Sequence, residues 1–598
     1  MGITKETFVD LYEKYSKVLK LLGDNKPDPD TEPYLSQYSA RQILIGMKAS
    51  IENLMRHHSD NVGLSKKLKA MLAWTYLYLG MIGLSTEEIS AGKKHLEKCN
   101  EIIDDTSLEP EMILIAVNMY NQFGIQSHCE AEESHKYLVK AEKLYMDFKR
   151  KTEPPIDTDD LFQENLESYN TEAAVRNLEK IHTLTLYYLA QIYVAMKEPL
   201  KSIVYFHLTL QRQLELQEFD DIDWALNAAT LSQFLIEKDG FKQGRHHLAA
   251  SSCILDKYKQ KLDLMESSEA HDALVETFKH RSADVARCWM KYGLLLLSKS
   301  KERLLKRADD DDDDDDGDKE TDRLSTDFSH LDIGLSSNIS EYDPRDLYFK
   351  NIDVSHYENQ ITDQFILTLP DAKKVFLNAQ QWSQKAQEYY TLETLASDFI
   401  QIMLDQTQLY LNLVFFEDDP ETQAKLHKRR IKLLEHVLNS INPQYYLNYC
   451  RQIWFELATT YSDISDIKSD VLKETEGRPA PHSLVKINNL IENGILHYSN
   501  FIDSFEDKLT KKLPDKIEED LEKPFLRAAF HRAALYGRYI SLDKQVKLKN
   551  TELSLENYKF VYDYCERNSK AKDLMPMEYG ICKEMVLLLP IKILKLKT

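Results

Sequence analysis

At 598 residues the chain is several times the roughly 150 residues of an average domain, so it folds as several domains or as one long array. Glycine and proline supply only 17 residues each, about half the roughly 12% of average usage, which excludes a turn-dense all-β fold, while 43% hydrophobic residues exclude general disorder. A formal net charge of −22 is opposite in sign to the footprint of a phosphate-backbone binder and sets nucleic acid aside.

In chain order, the opening MGITKETFVD lacks the apolar core of an export signal, and Glu6 stands where N-myristoylation asks for Ser or Thr. Ser85 followed by Glu88 predicts a helix-opening capping box. From here four helix pairs carry tetratricopeptide chemistry. That repeat asks for a large and a small residue in the first helix, then small, large and small residues in the second, so that the two helices approach closely. Leu79-Gly80 with Gly92, Leu96 and Cys99 fill these places, as do Leu189-Ala190 with Ser202, Phe206 and Thr209, and Leu231-Ser232 with Gly244, Leu248 and Ser251. Phe123-Gly124 with Ser134, Leu138 and Ala141 fit after removal of two residues. The units start 44, 66 and 42 residues apart, so the array is divergent and roughly 150–175 is an insertion. Weaker breaks are expected at 153–160, 416–422, 473–482 and 511–516.

Eight consecutive aspartates, Asp309–Asp316, mark 303–343 as an acidic, disordered linker, because like charges at that density repel and bury nothing. Residues 1–302 and 344–598 are then two helical halves. In the second half, helical spacing recurs at Leu392, Leu395, Phe399 and Ile402, and at Tyr446, Cys450, Ile453 and Leu457. It continues at Leu526, Ala529, Ala533, Tyr536 and Ile540, and at Leu555, Tyr558, Tyr562 and Cys565. Asn442-Pro443 is read as a further helix start. The fold class expected is all-α, a right-handed α-solenoid of antiparallel helix pairs in two halves.

The longest apolar clusters, at 294–297 and 585–590, fall far below the ~20 residues that span a bilayer. Seven cysteines without Cys-x-x-Cys spacing read as reduced, buried thiols. The expectation is a cytoplasmic monomer without membrane insertion. No phosphate-loop, dinucleotide, HExxH or nucleophile-elbow motif occurs, so no catalysis, cofactor or metal site is expected. His246-His247 point about 100° apart on a helix and are not expected to ligate metal. The basic KLHKRR (425–430) reads as a solvated helix face, and Phe206 and Trp289 as core. The positions left for a partner are those that the first helix of each pair turns to the concave side. There the third repeat offers Tyr188 and Gln191, and the fourth offers Asn227, Thr230 and Gln233, with Gln211, Arg212 and Gln213 beside them. Hydroxyl and amide groups of this kind give specificity through hydrogen bonding.

Segments from both halves resemble one family, the kinesin-family-binding (KIF-binding) proteins. They include EPYLSQYSAR (32–41), STEEISAGKKHLEKC (85–99), LYYLAQIY (186–193), WALNAATLSQF (224–234), VARCWMKY (285–292), NPQYYLNYCRQIWFE (442–456), LENYKFVYDYCE (555–566) and KEMVLLLP (583–590). The octa-aspartate run and the two-residue difference in the second repeat depart from the family pattern. The resemblance implies a non-enzymatic, cytoskeleton-associated solenoid whose concave surface grips kinesin motor domains and keeps them off microtubules, with roles in axonal microtubule organisation and mitosis. It carries contact roles to Tyr188, Gln191, Gln213, Thr230 and Gln233. The alternative reading is a tetratricopeptide co-chaperone that clamps an acidic peptide. Such clamps line their groove with Lys and Arg, which the inferred positions lack.

Overall fold

A computed structural model describes residues 5–23, 28–29, 31–57, 62–126, 130–163, 170–310, 347–474, 480–507, 510, 512–514 and 516–598. The described residues contain 22 α-helices and no strand, and they divide into two compact units. The first unit takes in Met1–Leu264 and Asp327–His356, the second Met265–Thr326 and Tyr357–Thr598.

The first unit runs α1 (Lys5–Gly23), α2 (Leu35–His57), α3 (Val62–Ser85), α4 (Ile89–Ile103), α5 (Ile113–Gln126), α6 (Ala131–Lys149), the short α7 (Thr158–Phe162), α8 (Thr171–Ala195), α9 (Pro199–Leu216), α10 (Asp221–Glu237) and α11 (Phe241–Asp263). Its four expected repeat pairs form as α3/α4, α5/α6, α8/α9 and α10/α11. The reason is the small residues at the crossings. A Cβ on Gly92 would lie 2.9 Å from Gly80 O and 2.9 Å from Leu84 N, so α3 and α4 meet backbone to backbone. At the α5/α6 crossing Gly124 faces Leu138, while Ser134 Oγ donates to Gly124 O at 2.7 Å. Gly244 admits Ile236, and Ser251 Oγ donates to Ala225 O at 2.7 Å. At these three crossings a small residue on one helix thus admits the backbone or a large side chain of the other.

The second unit runs α12 (Glu269–Asp310), α13 (Ser355–Glu358), which straddles the division between the units, α14 (Leu369–Gln387), α15 (Ala396–Phe416), α16 (Pro420–Ser440), α17 (Leu447–Glu474), α18 (Pro481–Asp503), α19 (Glu519–Arg538), α20 (Lys544–Arg567), α21 (Ser569–Leu574) and α22 (Pro576–Lys597). Successive helices pack on one another, and Trp289 of α12 stacks on Trp382 of α14 with ring centroids 5.5 Å apart. Small residues recur at these crossings too: Gly293 of α12 lies against Ala379 of α14, and Ser554 Oγ of α20 donates to Ala533 O of α19 at 2.8 Å.

Several expectations need correction. The two compact units divide at 264/265, and α12 continues helically through 303–310, where a disordered linker was expected. Residues 347–356 pack on the first unit, where Phe349 rests against Trp224, His207 and His247. The rest of the expected linker, 311–343, lies outside the described residues. Ser85 is the last residue of α3 rather than a cap. Its Oγ donates to Gln37 Oε1 and Ile82 O, while Glu88 pairs with Arg41 at 2.8 Å. Asn442 organises a turn, accepting from Gln444 N at 2.9 Å, and α17 starts five residues later at Leu447. Among the described residues no helix is long and apolar enough to cross a membrane.

Candidate partner-binding face

The candidate residues sit on α8, α9 and α10 of the first unit. α8 is opened by Asn170, whose side chain accepts from Ala173 N at 3.1 Å. α10 is opened by Asp220, which accepts from Ile222 N and Asp223 N at 2.9 Å each. These caps set where each helix begins, and the apolar positions at steps of three and four decide which face turns inward. On α8, Leu178, Leu186, Leu189 and Ala190 are buried; on α10, Trp224, Ala228, Leu231 and Leu235 are buried, and Trp224 Nε1 donates to Leu210 O at 3.0 Å.

The opposite faces are exposed. On α10, Asp223, Asn227, Thr230, Phe234 and Glu237 form an exposed row at steps of four and three, and Gln233 stands half-buried beside it, donating to Ser232 Oγ at 3.0 Å. On α8, Leu184, Tyr187, Gln191 and Val194 are exposed and Tyr188 is half-buried. Gln213 is half-buried near the end of α9, the helix that packs on both α8 and α10. None of the six candidates is in the core. Tyr188 and Gln191 share one helix face, and Asn227, Thr230 and Gln233 share another.

Sequence reasoning missed how apolar this face is. Val194 is 59% exposed and Phe234 54% exposed, and Tyr187 lies edge-on to Phe206 with centroids 6.3 Å apart. Phe206, expected in the core, is only half-buried, because it lies beside this face rather than beneath it. The signal was present in the sequence, since Leu184, Tyr187 and Val194 fall on the outward side of the same heptad as Tyr188 and Gln191.

A charged cluster underpins the face. Arg212, half-buried, contacts the Glu179 carboxylate and donates to Tyr145 Oη at 2.7 Å, and its Nη2 lies 2.9 Å from His182 Nδ1. His182 stacks on Tyr145 with centroids 3.6 Å apart. Burial, helped by Arg212 and Lys149, holds His182 well below its ordinary pKa, so the ring is neutral and Nδ1 accepts. Arg212 is therefore committed to the interior, and Gln211 is buried, which leaves Gln213 as the member of that trio open to a partner. Arg176 and Lys180 at the start of α8 both pair with Glu218, at 2.9 and 2.7 Å. The outward row of α10 carries the carboxylates of Asp223 and Glu237 and no Lys or Arg, and the exposed Arg176 and Lys180 on α8 are the two paired with Glu218.

Other expected features resolve as structure. His247 Nε2 lies 3.0 Å from His207 Nδ1, and its own Nδ1 lies 2.8 Å from Gln243 O. His246 Nε2 accepts from Phe349 N at 2.9 Å. Among the described residues no group of three His, Cys, Asp or Glu could hold a metal ion. KLHKRR is not simply a solvated face. Lys425, Lys428 and Arg429 are exposed, but His427 and Arg430 are buried, with Arg430 reaching Glu456 at 4.0 Å. Trp289 is core, as expected. Cys99, Cys450, Cys565 and Cys582 are buried free thiols, Cys253 and Cys288 are half-buried, and Cys129 lies outside the described residues.

The second unit has a concavity of about 640 Å³ lined by Arg451, Phe455, Glu456, Phe501, Glu518 and Arg527. Two of its charged residues, Arg451 and Glu456, have partners within the protein. Arg451 donates to Ser504 Oγ and O at 2.9 Å each, and Glu456 accepts from Thr407 Oγ1 at 3.1 Å and Gln408 Nε2 at 3.2 Å.

Residues 222–596 match the family model described as KIF-1 binding protein C terminal. The chain is 34% identical to the KIF-binding protein of Drosophila melanogaster, over 100% of this chain and 98% of that one. It is 33% identical to that of Gallus gallus, over 96% and 95%, and 32% identical to that of Homo sapiens, over 99% and 98%. A solved structure titled "Cryo-EM map of KIFBP" superimposes with a TM-score of 0.61 at 26% identity, covering 99% of this chain and 100% of that one.

Proposed function

We propose that this chain, which belongs to the KIF-binding protein family, binds kinesin motor domains through the outward faces of α8 and α10 and so holds the motors off microtubules. The contact set is Tyr188, Gln191, Gln213, Asn227, Thr230 and Gln233, joined by the apolar Tyr187, Val194 and Phe234. The observation that carries this reading is that two capped, well-packed helices turn a mixed aromatic, amide and hydroxyl surface to solvent. Rigid elements with an apolar anchor and a polar surround suit a specific, reversible protein interface.

Charge supports the same partner. A motor presents basic surface to acidic tubulin, and a chain of net charge −22, or −14 without the eight aspartates, attracts that surface and speeds capture. Asp223 and Glu237 put carboxylates on the α10 row itself. Competition with tubulin for one face of the motor is the mechanism: a motor held here cannot reach its track. It places the protein in the cytoplasm beside microtubules, acting on axonal transport and mitotic motors, as a binding protein rather than an enzyme. A co-chaperone clamp is disfavoured, because Arg212, Arg176 and Lys180 are already paired.

The test is a pull-down of purified motor domains alongside an acidic chaperone-tail peptide. Capture of a motor and not the peptide supports the reading. Capture of the peptide alone overturns it.

A further inference from the structure

α16 turns a row of cations to solvent. Lys425, Lys428, Arg429, Lys432 and His436 are all exposed. At about 100° and 1.5 Å per residue they share one helix face, in a row about 17 Å long. The other side of α16 is buried, with Ala424, Ile431, Leu434 and Val437 packed where α15 and α17 meet it.

The row lacks counter-charge. Elsewhere exposed lysines answer carboxylates three or four residues away, as Lys14 does Asp10 and Lys473 does Asp470. On α16 Lys425 reaches Glu421 only at 3.9 Å, and among the described residues Lys428, Arg429 and Lys432 have no carboxylate partner. The acids nearest the helix are engaged away from the row: Glu435 accepts from Tyr461 Oη at 2.8 Å, and Glu456 of α17 faces the buried Arg430 at 4.0 Å. Like charges three and four residues apart repel and destabilise a helix. The chain holds 98 Asp and Glu against 76 Lys and Arg, so its composition works against an uncompensated basic row.

The spacing says what covers it. Lys425, then Lys428 with Arg429, then Lys432 succeed one another at about one helical turn, 5.4 Å. A second helix with carboxylates at i, i+3, i+4 and i+7 has the same pitch, and laid alongside α16 it brings each carboxylate to a cation. An extended segment presents alternate side chains about 6.7 Å apart and falls out of step by about 2.6 Å within two turns. An anionic bilayer fits less well, because the exposed side of α16 offers no large apolar side chain to insert. Nucleic acid is opposed by the net charge of −22.

We propose that the Lys425–Lys432 face of α16 is a docking surface for an acidic helix of a partner protein, one with carboxylates at i, i+3, i+4 and i+7. The surface lies in the second unit and does not depend on the motor-binding reading, which rests on α8 and α10 of the first.

Fluorescence anisotropy of the full chain with two labelled alanine-based peptides of about 16 residues tests it. One peptide carries its glutamates in that phase, and the other carries the same glutamates dispersed around the helix. In about 20 mM salt, where exposed charges are little screened, the phased peptide should bind about fivefold more tightly than the dispersed one. Joint substitution Lys428→Glu, Arg429→Glu and Lys432→Glu, all at exposed positions, should weaken the phased peptide at least about tenfold. Lys544→Glu with Lys547→Glu, at exposed positions on α20, should leave it unchanged. Equal binding of the two peptides by the wild-type chain overturns the proposal, and so does undiminished binding by the triple variant. Phosphatidylserine vesicles that bind through the same three residues more tightly than the phased peptide would assign the row to a lipid surface instead. Carbodiimide coupling of the chain alone, if it joined Lys428 or Lys432 to residues 309–316, would make the aspartate run the occupant and overturn the partner helix.

Discussion

Glu142 is a carboxyl group buried where water cannot reach it. It lies on α6 at 3% exposure, and the hydroxyl of Tyr205 on α9 donates to its two oxygens at 3.1 and 3.2 Å. Burial raises its pKa from 4.5 to about 7, and the Tyr205 hydrogen bond offsets only part of that rise. The folded state therefore holds a proton that the unfolded chain has already lost above pH 4.5. Stability from this group is fully present below pH 4.5 and is lost as pH rises through 7. At 1.36 kcal/mol per unit, the loss approaches about 3 kcal/mol. Glu142→Gln keeps an acceptor for Tyr205 and removes the ionisation. Buried histidines oppose this slope, since His247 is pushed down to about 3 and His427 to about 4 by burial and both cost stability as pH falls. The difference between wild type and variant cancels them. Thermal unfolding at pH 5 and pH 8 should show the two proteins alike at pH 5, with Glu142→Gln higher by about 5 °C at pH 8. Parallel pH profiles for the two proteins would refute the reasoning.

Four further outcomes rest on local packing and on charge. Gly92→Ala should cost about 2–4 kcal/mol in urea unfolding, because its Cβ meets the backbone of Gly80 and Leu84. Gly580→Ala, with nothing within 4 Å, should instead gain about 0.5–1 kcal/mol. Arg212→Met should cost about 3–5 kcal/mol, read from unfolding of the first unit, because it strips a partner from buried Glu179 and the donor from His182. Motor affinity should fall as salt rises while deletion of 309–316 changes it little; equal affinity at low and high salt would remove the electrostatic contribution.

The helices and their pairing were legible because they rest on local signals. Trp224, Ala228, Leu231 and Leu235 show their face at steps of four and three, and Gly80 with Gly92 foretells a backbone crossing. What was hidden depends on partners distant in sequence. Arg430 and His427 look like solvated charge until α17 brings Glu456 beside them. Ser85 looks like a cap until α2 brings Gln37 to its hydroxyl. The helical state of 303–310 was masked by the aspartate run that follows, although Lys, Glu, Arg and Leu at 301–307 are strong helix formers that carry α12 onward. At the candidate face, the outward polar positions were readable from repeat register. The same register places the apolar Val194 and Phe234 on that side, but the habit of assigning large apolar residues to the core masked it.

The central claim is that the outward rows of α8 and α10 hold a motor away from its track. Microtubule co-sedimentation of a panel of kinesin motor domains tests it, with wild-type protein and with a variant in which Tyr188, Gln191, Thr230 and Gln233 are alanine. The account predicts that wild type leaves at least one motor in the supernatant, whereas the variant, equally helical and soluble, lets it pellet. Equal release by both proteins, or motors that pellet with the wild-type protein bound, would contradict it.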